Sequence, residues 1–194
     1  QVRHGDSTPD ISAKVVENTA SALLRLRDTI NVGALEEATS MIRSAKRIDF
    51  YARGNSAVVA LDGQLKFFRF RIPTAAYSDA LLQKQSAALL GPGDVAILIS
   101  NSGKASSLLA AAATARAAGA AVIAITAQKT PLSELASITI AVDPPENSQG
   151  YATMISRILQ LIVIDMLAVG VAVRRNPDKP EEALIELETQ SAEI

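Results

Sequence analysis

Five short apolar runs, each followed by a stretch with helical spacing, dominate the chain from residue 47 to residue 142. Runs such as DVAILIS and AVIAIT are apolar nearly throughout, which is typical of strands buried on both faces of a sheet. We predict strands over 47–52, 74–77, 94–100, 121–126 and 137–142. Apolar periodicity predicts helices over 10–28, 34–45, 55–71, 80–90, 105–118, 131–136 and 149–173. Strands alternating with helices predict an α/β fold, a doubly wound five-stranded parallel sheet with helices on both faces.

The length of 194 residues suits one domain with polar ends. We expect residues 1–10 to be a disordered tail or linker, 11–175 to form the domain, and 176–194 to be a polar C-terminal tail with a short helix. Because 48% of the residues are hydrophobic, the central segment can bury a large core. The chain opens with Gln instead of Met, so we also expect further sequence upstream of residue 1.

The charge balance and the rare residue types argue against several functions. Nineteen Lys and Arg against 20 Asp and Glu give a net charge of −1, which disfavours a nucleic-acid-binding surface on this segment. There is no Cys, which rules out a disulfide framework and a thiol nucleophile and is compatible with the cytoplasm. His4, in the polar N-terminal stretch, is the only His, so neither a catalytic imidazole nor a metal site is predicted, and we expect no cofactor.

No membrane segment is expected either. Arg116 and Asp165 interrupt the two longest apolar runs before they reach the ~18 residues that a membrane span needs.

Two turns rich in Ser, Asn and Gly follow the first and third predicted strands. They are Arg53-Gly54-Asn55-Ser56 and Ser100-Asn101-Ser102-Gly103-Lys104. In open parallel sheets, ligands bind at the carboxyl ends of the strands where the strand order reverses. A helix that starts just after such a turn presents free backbone N–H groups to an anion. The two turns therefore predict a phosphate site, with Lys104 and Arg53 adding positive charge.

Helix capping alone is the competing interpretation of these turns, since Ser and Asn cap most helices. Two better-known phosphate motifs do not fit. A P-loop would need Gly at Leu98 and a hydroxyl at Ala105, and a dinucleotide-binding fingerprint would need Gly at Ser56. Glu146, after the fifth predicted strand, is either a solvated loop residue or a carboxylate that reaches the same cleft.

In combination, three stretches resemble a known family, the sugar isomerase (SIS) domain. They are GNS after the first strand, ISNSGKASSLL after the third, and PENSQGYATMISRILQLIVIDMLAVGVAVRR near the end. The stretch IDFYARGNSAVVALDGQLKFFRFRIP is similar to the effector domain of RpiR-type bacterial transcription regulators, and most similar to the HexR-like group. The resemblance covers about residues 10 to 175.

The resemblance implies a sheet in the flavodoxin-like strand order that binds a phosphorylated sugar or keto acid and forms a homodimer or tetramer. It also implies a helix-turn-helix domain, absent from this chain, that contacts DNA. For the HexR-like group the implied effector is 2-keto-3-deoxy-6-phosphogluconate. Carried over residue by residue, the effector contacts fall on Ser56 and Ser100, with Asn101 and Ser102 in the same loop. The family pattern has Thr where this chain has Ala105, and Ser106 is the candidate replacement for that hydroxyl.

Three functions are therefore open at the level of sequence. The first is a ligand-sensing domain of a transcription regulator. The second is a phosphosugar isomerase, for which Glu146 is the one candidate base. The third is a regulatory module attached to a sugar kinase. The inventory of residues favours the sensor, because sensing needs only different affinities for two states of the protein.

Overall fold

A computed structural model describes residues 2–143, 152–176, 178, 181 and 185. Its strands are β1 (Ile48–Ala52), β2 (Thr74–Tyr77), β3 (Val95–Ser100), β4 (Ala121–Thr126) and β5 (Ile138–Ala141). Its helices are α1 (Thr8–Thr29), α2 (Val32–Arg43), α3 (Ala57–Phe68), α4 (Ala80–Ala88), α5 (Ser106–Ala117), α6 (Pro131–Leu135) and α7 (Ala152–Arg175). One turn of 3-10 helix, Gly54–Ser56, precedes α3.

The five strands form one parallel sheet in the order β2-β1-β3-β4-β5. From β1 the chain goes to one edge of the sheet, at β2, and then returns to build the other side from β3 outward. The order therefore reverses between β1 and β3, whose registers pair Ile48 with Val95 and Ala52 with Ile99. This confirms the doubly wound sheet and the flavodoxin-like order. It also makes the gap beyond the ends of β1 and β3 the expected place for a ligand.

Helices cover both faces of the sheet, as its apolar strands require. On one face, α1, α2, α3 and α7 pack against side chains such as Phe50 and Ile97. On the other face, α4, α5 and α6 pack against side chains such as Tyr51 and Leu98. Every residue of β1 and β3 is buried, because successive side chains enter the two cores in turn.

Helix α7 is the longest helix and crosses one core. By length and composition alone it is apolar enough to cross a membrane, and it is the one such helix in the described part of the chain. Half of its most apolar 18-residue window is buried inside the domain. Val163, Leu167 and Val171 are fully buried in the core that α7 shares with α2 and α3. We therefore interpret α7 as a core helix.

The N-terminal helix begins earlier than the sequence predicts. Ser7 and Asp10 form a reciprocal capping box, and Pro9 lies in the first turn, where its missing N–H has no cost. Residues 8–10, assigned to a tail from their polarity, thus belong to α1. The helix predicted over 55–71 is also shorter, because the 3-10 turn replaces its start and α3 ends at Phe68.

Candidate functional site

The turn after β1 places Ser56 at the N-terminus of α3. Gly54 has a φ of +55°, a backbone conformation that glycine adopts without strain, and the 3-10 turn that follows directs the chain into the helix. Ser56 is 9% exposed, and its side chain makes no capping bond to α3. Its hydroxyl is therefore not used to cap its own helix.

The turn after β3 is held by its own side chains. The Ser100 hydroxyl accepts a hydrogen bond from the Gly103 N–H at 3.1 Å. Gly103 has a φ of +60° and is buried against Thr126 and Thr130. A Cβ at this position would lie 2.4 Å from the Thr130 hydroxyl, so Gly103 shapes the loop by close approach.

Helix α5 starts from this turn without a side-chain cap. Ala105 is its N-cap residue and offers no acceptor to the first-turn N–H groups. These groups and the positive end of the helix dipole are thus available to an anion. The Thr of the family pattern would have brought a hydroxyl to this position, and Ser106, the first residue of α5, does not line the cavity described next.

A cavity of about 350 Å³ lies where the two turns meet. The described residues that line it are Arg53, Gly54, Asn55, Ser56, Ile99, Ser100, Asn101, Ser102, Ala105, Leu108, Thr153, Ser156 and Gln160. Six of the ten residues predicted from the sequence are in this set, namely 54–56 and 100–102. Arg53 is the one cation in this described lining, which contains no carboxylate. The electrostatics of these walls thus favour a neutral or anionic ligand.

Three predicted residues that the structure describes do not line the cavity. Gly103 faces Thr126 and Thr130, Lys104 is exposed, and Ser106 lies outside the lining. Glu146 lies outside the described residues. Beside Ser106, the Ser107 hydroxyl accepts a hydrogen bond from Arg53 Nη1 at 3.3 Å, which joins the β1 turn to the start of α5.

The wall contributed by α7 was not predicted. Thr153, Ser156 and Gln160 line the cavity from the core helix. Their spacing of three and four residues puts them on one side of a helix. Three uncharged polar residues in phase on a mostly apolar helix are a sequence signal of this wall. The apolar residues alone predict the helix and do not mark this side of it.

Two buried polar atoms of the lining have no hydrogen-bond partner among the described residues. They are Asn101 Oδ1 and Gln160 Nε2. The other end of the Gln160 amide is held, because the Ser56 hydroxyl donates to Oε1 at 2.9 Å. Ser156 donates to the Ala152 carbonyl within α7 and is satisfied there. Buried polar groups are nearly always paired, so these two atoms point to a ligand or water in the cavity.

Comparison with known families identifies the fold. Residues 41–170 match the family model of the SIS domain. The chain belongs to the SIS domain family. This SIS domain is 49% identical over 183 residues to the Bifunctional protein glk of Burkholderia thailandensis, covering 94% of the chain and 28% of that protein. It is 38% identical over 174 residues to the HTH-type transcriptional regulator HexR of Escherichia coli K12, covering 90% of the chain and 60% of HexR. It therefore spans only part of the curated relatives that it matches.

Solved structures share the architecture of this SIS domain at low sequence identity. The Vibrio vulnificus NanR protein complexed with ManNAc-6P matches with a TM-score of 0.83 at 20% identity, over 95% of this chain and 68% of NanR. The sugar isomerase domain of an RpiR transcription factor from Sphaerobacter thermophilus matches with a TM-score of 0.76 at 21% identity, over 91% and 97%. These matches show the fold.

Proposed function

We propose that this SIS domain is an effector-sensing domain that binds a phosphorylated sugar or keto acid. The observation that carries the proposal is that the start of α5, which has no side-chain cap, and the turn before α3 meet at one cavity. Backbone N–H groups there, together with Ser100, Ser102 and Arg53, offer a phosphate the donors that it requires. The cavity of about 350 Å³ is within the size range of small-ligand sites.

The effector that we favour is 2-keto-3-deoxy-6-phosphogluconate. The resemblance to HexR supports it, and the phosphosugar in the NanR complex supports the wider class of ligand. On this proposal, effector binding in the cytoplasm changes DNA binding by a helix-turn-helix domain elsewhere in a longer protein.

The second candidate role of the same sensor is that of a regulatory module attached to a sugar kinase. The identity of 49–50% to proteins named Bifunctional protein glk favours it. In both roles the cavity binds the effector more tightly in one conformation of the protein than in the other.

Binding without turnover is part of the proposal. Aldose–ketose isomerisation needs a positioned base to move a proton between neighbouring carbons. The described lining of the cavity offers hydroxyls, amides and one guanidinium, and neither a carboxylate nor an imidazole. Such a set of groups suits recognition of an anion better than proton transfer.

We also propose that the domain forms a homodimer. The apolar composition of helix α7 suggests a subunit interface, but ten of its 24 residues are buried inside its own domain. Helix α3 offers a more exposed apolar row, with Val58, Leu61, Leu65 and Phe68 each at least 54% exposed. Their spacing of three, four and three residues forms one continuous stripe along the helix.

A thermal-unfolding screen tests the sensor proposal. The domain is mixed with 2-keto-3-deoxy-6-phosphogluconate, glucose 6-phosphate, fructose 6-phosphate, N-acetylmannosamine 6-phosphate or inorganic phosphate. A ligand at 100 times its Kd stabilises the fold by about 2.7 kcal/mol, which raises the Tm measurably. Mass spectrometry of the same samples detects conversion. We expect a raised Tm with one phosphorylated acid or sugar and no turnover, whereas conversion of a hexose phosphate would establish the isomerase instead.

A further inference from the structure

The side chain of Gln160 lies on the α7 wall of the cavity with half of its amide unpaired. It is 1% exposed and lines the cavity about two turns from the start of α7. We propose that Gln160 is a specificity-determining residue whose Nε2 donates a hydrogen bond to an uncharged oxygen of the effector, a hydroxyl or carbonyl beyond the phosphate. This inference rests on the proposed function, because it assigns the part of the same ligand that the phosphate-binding turns do not contact.

The unpaired amide nitrogen is the first observation behind the proposal. Gln160 Nε2 carries two N–H donors and has no acceptor among the described residues. An unpaired buried donor destabilises a fold, and so it persists where a ligand or a water completes it. Gln83 on α4 is equally buried and its Oε1 is also unpaired, but its Nε2 donates to the carbonyls of Ala52 and Tyr77, so both of its donors are occupied by the fold. Gln160 differs from Gln83 in having free donors and in lining the cavity.

Ser56 bonds one end of the Gln160 amide, and the other end has no partner among the described residues. Its hydroxyl donates to Gln160 Oε1 at 2.9 Å, which leaves Nε2 as the unsatisfied end. The single O–H of Ser56 is used in this bond, so Ser56 is not free to donate to a phosphate in the same arrangement. We therefore assign Ser56 as a positioning residue for Gln160, in addition to its place at the β1 turn.

The charge of the surroundings decides what kind of oxygen Gln160 receives. Arg53 is the one cation of the described lining. Its side chain is exposed and donates a hydrogen bond to Ser107. The α7 wall itself provides Thr153, Ser156 and Gln160, which are all neutral. A charged group placed beside the buried, uncharged side chains of Ser156 and Gln160 would lose its hydration without a counter-ion. A hydroxyl or carbonyl oxygen accepts from a neutral amide without that penalty.

Titration calorimetry with two kinds of probe tests the assignment. We measure the Kd of inorganic phosphate and the Kd values of fructose 6-phosphate and 2-keto-3-deoxy-6-phosphogluconate. The readout is the ratio of the phosphate Kd to the Kd of whichever organic phosphate binds more tightly. This ratio measures how much the organic part of the ligand adds to the affinity. Gln160→Met keeps the length of the side chain and removes both donors. We expect the ratio to fall about tenfold while the phosphate Kd stays within about twofold.

Two further variants keep the test decisive. Gln160→Asn retains an amide, but its side chain is too short to reach both Ser56 and the ligand. We expect the Kd ratio to fall about as much as in Gln160→Met, so this variant serves as the test if Gln160→Met does not fold. Gln83→Met makes the same chemical change at a buried position outside the cavity, and we expect a lower Tm with an unchanged ratio. An unchanged ratio in the Gln160 variants overturns the assignment but leaves the sensor in place. Failure of the wild-type domain to bind any of the probes overturns the proposed function itself.

Discussion

Ser100 has two tasks at the residue scale, one in the loop and one in the proposed phosphate site. Its hydroxyl accepts the Gly103 N–H and faces the cavity at the end of β3. We expect Ser100→Ala to weaken binding of inorganic phosphate by about 1–3 kcal/mol, because a charge-assisted hydrogen bond is lost. Calorimetry measures the Kd. Urea unfolding measures separately how much the free energy of unfolding changes when the bond to the Gly103 N–H is lost. A phosphate Kd equal to that of the wild type would remove Ser100 from the site.

Gly103 is the residue whose backbone the loop depends on most. Gly103→Ala adds a Cβ at a φ of +60° and within 2.4 Å of the Thr130 hydroxyl. We expect the free energy of unfolding to fall by about 2–3 kcal/mol, from left-handed strain and overpacking. Gly91→Ala is the matched control, since a Cβ there meets nothing within 4 Å. Equal urea midpoints for the two variants would contradict this description of the loop.

The sequence predicted part of the site for a local reason. Ser100 ends β3 and Ser56 lies in the turn after β1, and the topology of the sheet alone brings such positions together. Gln160 lies 104 residues after Ser56, in a helix whose apolar pattern obscures its polar side. Its place on the cavity wall depends on how α7 packs across the core. Lys104 was predicted for its charge, but the turn that buries Gly103 leaves it outside the lining.

At the scale of elements, strand β1 carries a buried carboxylate that ties it to α4. Asp49 is fully buried and accepts two hydrogen bonds of 2.9 Å from Arg47. Ser86 of α4 also donates to it, and so does the Tyr51 hydroxyl at 3.0 Å. Burial raises the pKa of Tyr51, which keeps its proton available for this bond. The cluster fixes the strand whose end forms the β1 turn.

Removing the cation of this cluster should destabilise the fold. We expect Arg47→Met to lower the free energy of unfolding by about 2–3 kcal/mol, because it leaves the Asp49 carboxylate buried without its counter-ion. Arg27→Met breaks an ion pair with Asp28 whose side chains are 69% and 61% exposed, and we expect no measurable change. Urea unfolding compares the two variants directly. A small effect at both positions would show that Asp49 does not need Arg47.

Element identity was well predicted because the strands are buried on both faces. The boundaries of β2 and β4 agree with the apolar runs to the residue, since turns with Gly or Pro stand next to them. The start of α1 was missed, because its first turn is polar and depends on the Ser7–Asp10 capping box. A hydrophobic pattern carries no information about such a start.

At the scale of the whole molecule, the exposed stripe of α3 bears on the dimer. Leu65 and Phe68 are each 65% exposed, whereas α7 exposes two large residues far apart, Met154 at 54% and Val169 at 46%. We expect the wild type to have the mass of a dimer in light scattering at micromolar concentration, and Leu65→Lys to shift it to the monomer. Val169→Lys is the control and should remain dimeric. A monomeric wild type would contradict the dimer, and a dimeric Leu65→Lys would move the interface away from α3.

The most direct test of the proposed site is to map binding onto the backbone by NMR. The amide signals of the ¹⁵N-labelled domain are followed during titration with inorganic phosphate and then with 2-keto-3-deoxy-6-phosphogluconate. We predict the largest shifts in the two turns, at 54–56 and 100–103, and in the first turn of α5, with α4 and the N-terminal half of α1 unaffected. Shifts centred on another part of the sheet, or none with either probe, would contradict a phosphate-binding sensor at the ends of β1 and β3.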